Sequence, residues 1–392
     1  MICVGIDVAK NKHDCYILDS DGRVLSGVFT IPNTLDGFQM LLNKIRSYTE
    51  DPGNVKVGLE ATGHYSYNIL GFLLDNGLPT YVINPLQTNF YRNSLSLRKT
   101  KTDRIDSRTI ATMLMSDVSL KPYTVISYHI EGLKSLTRYR FDRVQFRAKL
   151  RVSVTRLVDI VFPELEGLVS SLHTATVYAL LKEFPGAQQV AQANLTHLKT
   201  LLSTASRGRY GREKAIEIRE AARHSIGSSS AALALELKHT LDLISVLDKE
   251  IAEIDASIDA FMEELASPIT TIPGIGNRMG AMILAEIGDF SRFSSPDKIL
   301  AYAGMSPSTY QSGQMRNCYA HMEKRGSRYL RYALFNSAKY VCMWDPVFRA
   351  YLDKKRAEGK HYNVAVTHAV KKLVRVIYHL VKTGQAYNPA AA

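Results

Sequence analysis

The sequence predicts an α/β domain with a mixed sheet at its N-terminal end, followed by a mainly helical remainder built on two long helices. Three observations carry this prediction. First, Ile2-Cys3-Val4-Gly5-Ile6-Asp7 and Val55-Lys56-Val57-Gly58-Leu59-Glu60 are both runs of β-forming residues that end in a carboxylate. Second, helical and strand patterns alternate after the first three strands, as in α/β folds. Third, Leu237, Ile244, Ile251, Ile258 and Leu265 recur every seven residues, with Leu247, Ile254 and Phe261 three positions after members of that series.

In chain order, Ile2–Asp7 reads as a central strand because it is continuously apolar. His13–Asp19 and Arg23–Thr30 flank Ser20-Asp21-Gly22 and read as a hairpin. Leu35, Phe38, Leu41, Leu42 and Ile45 mark a helix from Thr34 to about Tyr48, ended by Asp51-Pro52-Gly53-Asn54. The strand Val55–Glu60 follows, then a helix near His64–Asn76 and a strand Thr80–Asn84 stopped by Pro85. Asn89–Arg108 is basic and polar and runs into a helix starting near Thr102. On that helix Asp103, Asp106, Ile110 and Met113 share one stripe, so packing the apolar part turns the two acids toward the sheet rim.

The second half is helical. One long helix spans about Ile130–Val161, with Tyr139, Phe146, Leu150, Val154, Leu157 and Val161 as its apolar seam. The heptad series places a second over about Ala231–Leu265, giving either an intramolecular antiparallel hairpin or an intermolecular coiled coil. Shorter helical pieces between them read as an insertion. Ile272-Pro273-Gly274-Ile275-Gly276 opens a helix through Ile287, and the last helix covers about Asn363–Lys382. The expected division is 1–125, an α/β domain; 126–167 with 228–266, long helices; 168–227, a helical insertion; and 267–392, a C-terminal domain.

Charge points to the partner. The chain has 392 residues, with 49 Lys+Arg against 37 Asp+Glu, a net +12. Such an excess favours a polyanion, nucleic acid first. Hydrophobic content of 46% excludes a disordered chain. No apolar run reaches the roughly 18–20 residues of a membrane span, and the chain opens directly on a strand, so neither membrane partner nor signal peptide is expected. Cys3, Cys15, Cys318 and Cys342 lack metal spacing, which suits a reduced cytoplasm. The basic candidates for nucleic acid are Lys10, Arg98, Lys99, Lys101 and Arg104, then Arg140, Arg143 and Arg147 on the first long helix, then Lys324, Arg325 and Arg328. Gly274 and Gly276 resemble a helix-hairpin-helix turn, whose free backbone N–H groups suit phosphate; a turn that merely packs is the plainer alternative.

Asp7, Glu60, Asp103 and Asp106 are the candidate chemistry. Carboxylate oxygens are the ligands Mg²⁺ and Mn²⁺ prefer, and two such ions suit displacement at a phosphate. Four converging acids without a cation would repel one another and DNA alike.

Gly5-Ile6-Asp7-Val8-Ala9-Lys10, Glu60-Ala61-Thr62-Gly63, Asn84-Pro85 and Lys101-Thr102-Asp103-Arg104-Ile105-Asp106 resemble the Asp-Glu-Asp-Asp transposases of insertion-sequence family 110. Pro273-Gly274-Ile275-Gly276, Ala303-Gly304, Ser312-Gly313 and the basic helix after them are similar to that family's second region. The resemblance implies an RNase H-like, Holliday-junction-resolvase-like N-terminal domain and a C-terminal transposase domain with a nucleophilic serine. It implies metal at Asp7, Glu60, Asp103 and Asp106 and a nucleophile at Ser312. It further implies donor and target DNA, a guiding bridge RNA, and a homo-oligomer, a dimer assembling to a tetramer on DNA, in the prokaryotic cytoplasm at the nucleoid. The sequence departs from that pattern at Gly326-Ser327, where many relatives have Gly-Asn, and in its longer 168–228 region.

Read from composition alone, a serine beside a glycine is an ordinary turn, and Ser306 and Ser308 compete with Ser312. Three other functions fit parts of the sequence. A metal-dependent junction resolvase would hydrolyse without rejoining. An actin-like or sugar-kinase ATPase shares Gly5-Ile6-Asp7 but needs further glycine-rich phosphate loops, and none is convincing. A non-catalytic scaffold leaves the four acids without a purpose.

Overall fold

The computed structural model describes the chain apart from residues 61–63, 84, 96–102, 117–119, 121, 124, 308–310, 313, 314, 317–321 and 390–392. At 86, 95, 103–105, 125–129, 311, 312, 315 and 316 it describes the backbone alone. The chain divides into two compact units: Met1–Gly132 with Ile287–Ile299, and Leu133–Glu286 with Leu300–Ala392.

The first unit is a five-stranded mixed sheet between helices. Its strands are β1 (Ile2–Val8), β2 (Lys12–Asp19), β3 (Val24–Pro32), β4 (Val55–Glu60) and β5 (Thr80–Ile83), in the order β3-β2-β1-β4-β5. The first three are antiparallel neighbours; β1, β4 and β5 run parallel. The β2–β3 turn is where Asp-Gly chemistry predicts it: the Asp19 carboxylate accepts from the Asp21 and Arg23 amides at 2.9 and 2.8 Å. Parallel β4 needs a crossover, supplied by α1 (Leu35–Arg46), which Thr34 caps by accepting from the Gly37 amide at 3.2 Å. Helix α1 and α2 (Tyr67–Asp75) cover one face of the sheet, packing Phe38, Leu41, Ile45, Ile69 and Leu73 on Val4, Ile6, Val57 and Leu59.

The other face is covered by α4 (Asp103–Ser116), after α3 (Pro85–Leu95). Helix α3 was not expected. Pro85 does end the strand, but it also opens a helix, since its fixed φ and missing N–H suit a first turn. Helix α4 lies directly on two glycines. A Cβ on Gly5 would stand 2.1 Å from the Ser107 carbonyl oxygen and 2.5 Å from the Ala111 nitrogen. One on Gly58 would stand 2.8 Å from both Ile110 Cγ2 and Leu114 Cδ1. The glycines near the ends of both strands are therefore seats for this helix.

The long helices are α5 (Val125–Val161), which belongs to the second unit from Leu133 on, and α11 (Ala231–Leu265), joined through α6 (Leu165–Leu168), α7 (Ala175–Glu183), α8 (Ala187–Gln192), α9 (Leu195–Ala205) and α10 (Arg212–Arg223). The short helices are packed, not appended: Leu180, Val190, Leu198, Leu202 and Ile218 share one core with Val154, Leu157 and Val161 of α5 and Leu237, Leu241 and Ile244 of α11. Arg140–Asp255, Arg147–Asp248 and Arg156–Glu236 ion pairs link the long helices, one partner rising as the other falls, so they run antiparallel as a hairpin within one chain. The heptad series is buried from Leu237 to Ile258, whereas Leu265, Tyr139 and Phe146 are exposed. The seam expected on α5 therefore holds only in its last turns. Helices α12 (Asn277–Ile287) and α13 (Pro296–Tyr302) precede the short strands β6 (Gln311–Ser312) and β7 (Met315–Arg316). The chain closes with α14 (Arg328–Trp344), α15 (Pro346–Ala357) and α16 (Tyr362–Thr383), which pack on one another. Among the described residues no helix is long and apolar enough to cross a membrane.

Candidate active site

Strand alternation fixes where the first two acids lie. Gly5 and Gly58 face α4, so Asp7 and Glu60, two residues further on, share that face at the ends of β1 and β4. Ile6 and Leu59 are register partners, which leaves Asp7 and Glu60 one step beyond on neighbouring parallel strands. Both are partly exposed. The sheet continues the row: Asp14 of β2 is the direct partner of Asp7, and Thr30 of β3 the partner of Asp14. The Thr30 hydroxyl donates to the Asp14 carboxylate at 2.5 Å, and Asp14 is buried. Sequence reading missed this third strand acid, although counting back along an antiparallel pair from the 9–12 connection places 14 opposite 7.

The α4 acids are less uniform. Asp106 is buried and held by Arg92 of α3, whose Nη1 lies 2.9 Å from Oδ1. The Asp103 side chain lies outside the described residues. Among the described residues no three His, Cys, Asp or Glu side chains are gathered as metal ligands. The donor chemistry fits a hard divalent cation, being all carboxylate, but Asp106 is engaged by an arginine, not grouped with Asp7 and Glu60. The described cysteines are no alternative ligands: burial raises the thiol pKa of Cys3, Cys15 and Cys342, the last to about 11, and leaves them neutral packing groups.

Ser312 lies in β6, where its register partner is Met315 of β7, the other strand of a two-stranded arm. The arm has a defined base. Pro307 bridges Met322, the Glu323 amide donates to the Ser306 carbonyl at 3.2 Å, and the Lys324 amide to that of Gly304 at 3.1 Å. Ser306 sits at that base, and Ser308 is outside the described residues.

The basic candidates divide. Lys10, Lys324, Arg325 and Arg328 are exposed. Arg98, Lys99 and Lys101 lie outside the described residues, as does the Arg104 side chain. Arg140, Arg143 and Arg147 differ from the expectation of a single-signed phosphate-binding face: Asp255, Glu250 and Asp248 of α11 stand beside them. Sequence reading saw one helix's charges and not the complementary ones more than 100 residues away. Gly274 has φ +92°, and a Cβ there would stand 2.7–2.8 Å from the Tyr340 and Val341 backbone. Its glycine is thus explained by packing on α14. A Cβ on Gly276 would meet nothing within 4 Å, and Asn277 and Arg278 just after it bind Asp259 of α11.

One buried polar cluster was not anticipated. Glu286 accepts from Arg138 Nε and Nη2 at 2.5 and 3.0 Å and from the Ser327 hydroxyl at 2.5 Å. Ser327 also caps α14, accepting from the Leu330 amide at 3.1 Å. The departure at Gly326-Ser327 thus has a structural role of its own.

Comparison with known proteins covers both halves. Residues 4–163 match the family model of IS110-type DEDD transposases, described as "Transposase", and residues 266–353 match "Transposase IS116/IS110/IS902 family". An insertion element IS116 uncharacterized 44.8 kDa protein of Streptomyces clavuligerus is 26% identical, over 99% of this chain and 96% of its own length. The insertion element IS900 uncharacterized 42 kDa protein of Mycobacterium paratuberculosis is 25% identical, over 99% and 98%. The pilin gene-inverting protein of Moraxella bovis is 24% identical, over 98% and 97%.

Proposed function

Because the chain belongs to the IS110 family of insertion-element transposases, we propose that this DNA recombinase cuts and rejoins strands through a phosphoserine on Ser312. Its partners are donor and target DNA, chosen by pairing with a bridge RNA. Asp7, Glu60 and Asp103, with Asp106 once released from Arg92, would hold Mg²⁺ or Mn²⁺. The observation that carries this reading is the acid row itself: Asp7 and Glu60 at adjacent parallel strand ends, on the face that receives α4 with Asp103 and Asp106 in its first turn. Strand order β3-β2-β1-β4-β5 with β2 antiparallel supports an RNase H-like assignment of this unit.

The chain's own groups act as follows. The Ser312 Oγ attacks a backbone phosphorus, one P–O bond breaks, and the departing DNA hydroxyl takes up the proton the serine has lost. Attack on the phosphoserine by another DNA hydroxyl restores the serine, so one phosphodiester replaces another and no ATP is consumed. A bound divalent cation would supply charge stabilisation to the attacking and leaving oxygens. Lys10, Lys324, Arg325 and Arg328 are exposed cations suited to the DNA backbone. Exposed Tyr139, Phe146 and Val152 on α5 support a self-associating chain, a dimer that becomes a tetramer on DNA.

The test is a denaturing gel of labelled DNA with wild type, Ser312→Ala, Ser306→Ala and Ser308→Ala. Wild type and the last two form a protein–DNA adduct that maps to Ser312, and Ser312→Ala forms none. EDTA, Asp7→Asn, Glu60→Gln, Asp103→Asn and Asp106→Asn each abolish recombination and leave nucleic-acid binding in place. Cleavage without any adduct would instead identify a hydrolytic, junction-resolvase-like nuclease.

A further inference from the structure

The second unit contains a cavity of about 460 Å³ at the base of the Ser312 arm. That size lies within the roughly 300–1,000 Å³ typical of small-molecule sites. Its walls include the rings of Phe141, Tyr332 and Phe335, and the thioethers of Met305 and Met322. All three aromatic residues are only half-buried. Phe141 meets Tyr332 edge-on, centroids 4.8 Å apart at 77°, and Tyr329 at 5.3 Å and 87°. In an edge-to-face contact one ring sets its edge on the other's face, so the faces of the edge-on ring stay clear of that partner. Arg328, fully exposed, stands at the mouth.

The walls are held before any ligand arrives. Glu286 ties Arg138 of α5 to Ser327 at the start of α14, so the helices carrying Phe141 and Tyr332 share one buried anchor. Arg331 donates to the Ala303 carbonyl at 2.9 Å and so fixes the loop before the arm. Met305 and Met322 lie on the two sides of the Pro307–Met322 bridge from which the arm departs. Arg328 on the cavity lining suits the phosphates of a DNA strand engaged there. A flat, uncharged, polarisable group fits such a lining, and a nucleobase released from its pair is that group.

We propose that this cavity receives one unpaired base of the DNA strand engaged by the Ser312 arm and stacks it on one of the two rings of Phe141 and Tyr332, the other meeting it edge-on. The inference rests on the DNA-recombinase reading above. Stacking uses the π-face that every base has, so the cavity selects for an unpaired base and not for a sequence.

The full-length chain is titrated by fluorescence anisotropy with a short labelled oligothymidylate and with an abasic strand of equal length and charge. Wild type binds the base-bearing strand about tenfold tighter, the scale of one stacked base. Phe141→Leu, which keeps apolar volume and removes the ring, reduces it to the abasic value. Thr367→Trp, at the cavity wall, plugs it at the cost of one hydroxyl bond to the Asn363 carbonyl within its own helix and does the same. An oligonucleotide carrying 5-iodouracil crosslinks on irradiation to Phe141 or Tyr332. Equal binding of the two strands by wild type overturns the cavity assignment and leaves DNA handling standing, as does a base preference that survives both variants. Failure of wild type to bind either strand overturns both.

Discussion

Asp7 of β1 and Asp14 of β2 are direct partners across an antiparallel pair, two carboxylates side by side on the face covered by α4. Like charges so placed cost about 0.2–1 kcal/mol. Asn at 14 keeps an oxygen acceptor for the Thr30 hydroxyl and removes one charge. In EDTA, Asp14→Asn should therefore gain up to about 1 kcal/mol in a denaturant titration. Asp14→Leu should keep less of that gain, because it also gives up the Thr30 hydrogen bond. A loss of stability in Asp14→Asn would show that the second charge is itself neutralised within the protein.

Gly5 gives a way to disturb the acid row without touching an acid. Its missing Cβ is replaced by the Ser107 carbonyl and the Ala111 nitrogen, both backbone atoms that no rotamer change can move. Gly5→Ala should destabilise the first unit by about 1–3 kcal/mol or more and lift α4 from β1. Recombination should fall with it, although all four acids remain. Unchanged melting and unchanged activity together would mean that α4 need not be seated on β1.

These two positions show what was legible in the sequence. Strand and helix limits near β1, β4, α1, α11 and α16 follow from local patterns, because period and punctuation sit within a few residues of each other. The convergence of Asp7 with Glu60 was legible as well, since both are strand ends with matching glycines. What was not legible depends on distant chain. The acids opposite Arg140 and Arg147 lie 115 and 101 residues away, and Glu286 lies 148 residues from Arg138. No window along the chain contains such pairs. Helix α3 is hidden for a local reason: Pro85 ends a strand and opens a helix at once, and the strand pattern before it shows only the first role.

Arg140 separates a hairpin clasp from a phosphate contact. It is about four-fifths covered and paired with Asp255, itself covered to the same degree. Arg140→Gln should cost no more than about 1 kcal/mol, as a partly screened pair does. The slope of log affinity for duplex DNA against log salt should not change. A slope smaller by about 1 would mean that this guanidinium contacts phosphate after all.

His13 predicts the acid limit of the first unit. It is fully buried in β2 and stacks on Phe38 at 5.8 Å. Burial lowers its pKa from the ordinary 6.5, with Asn33 and Asp14 pulling partly back. Below about 6.5 the unfolded chain therefore binds a proton that the folded chain resists. The stability owed to neutral His13 is complete above about pH 6.5 and declines as pH falls below it. His13→Leu should show a shallower decline below about pH 6.5 in denaturant midpoints, whatever its stability at neutral pH. Parallel curves for the two proteins would assign the acid sensitivity to other groups.

The Arg138–Glu286 pair should be strongly non-additive. The Glu286 side chain is 0% exposed and Arg138's is 40% exposed, so the acid depends on the arginine more than the reverse. Arg138→Met leaves a buried carboxylate with the Ser327 hydroxyl as its remaining described partner, at about 3 kcal/mol, the lower end for breaking a buried pair. Glu286→Met should cost less, because the freed guanidinium is already partly in water. Removing both should cost less than removing Arg138 alone, since no buried charge is left. The check is a double-mutant cycle from chemical denaturation. The single Arg138→Met variant should also lose preference for base-bearing over abasic DNA, because Ser327 caps the helix that carries Tyr332. Additive costs would reduce the cluster to separate contacts. An intact base preference in a destabilised Arg138→Met chain would show that the anchor holds the fold and not the cavity.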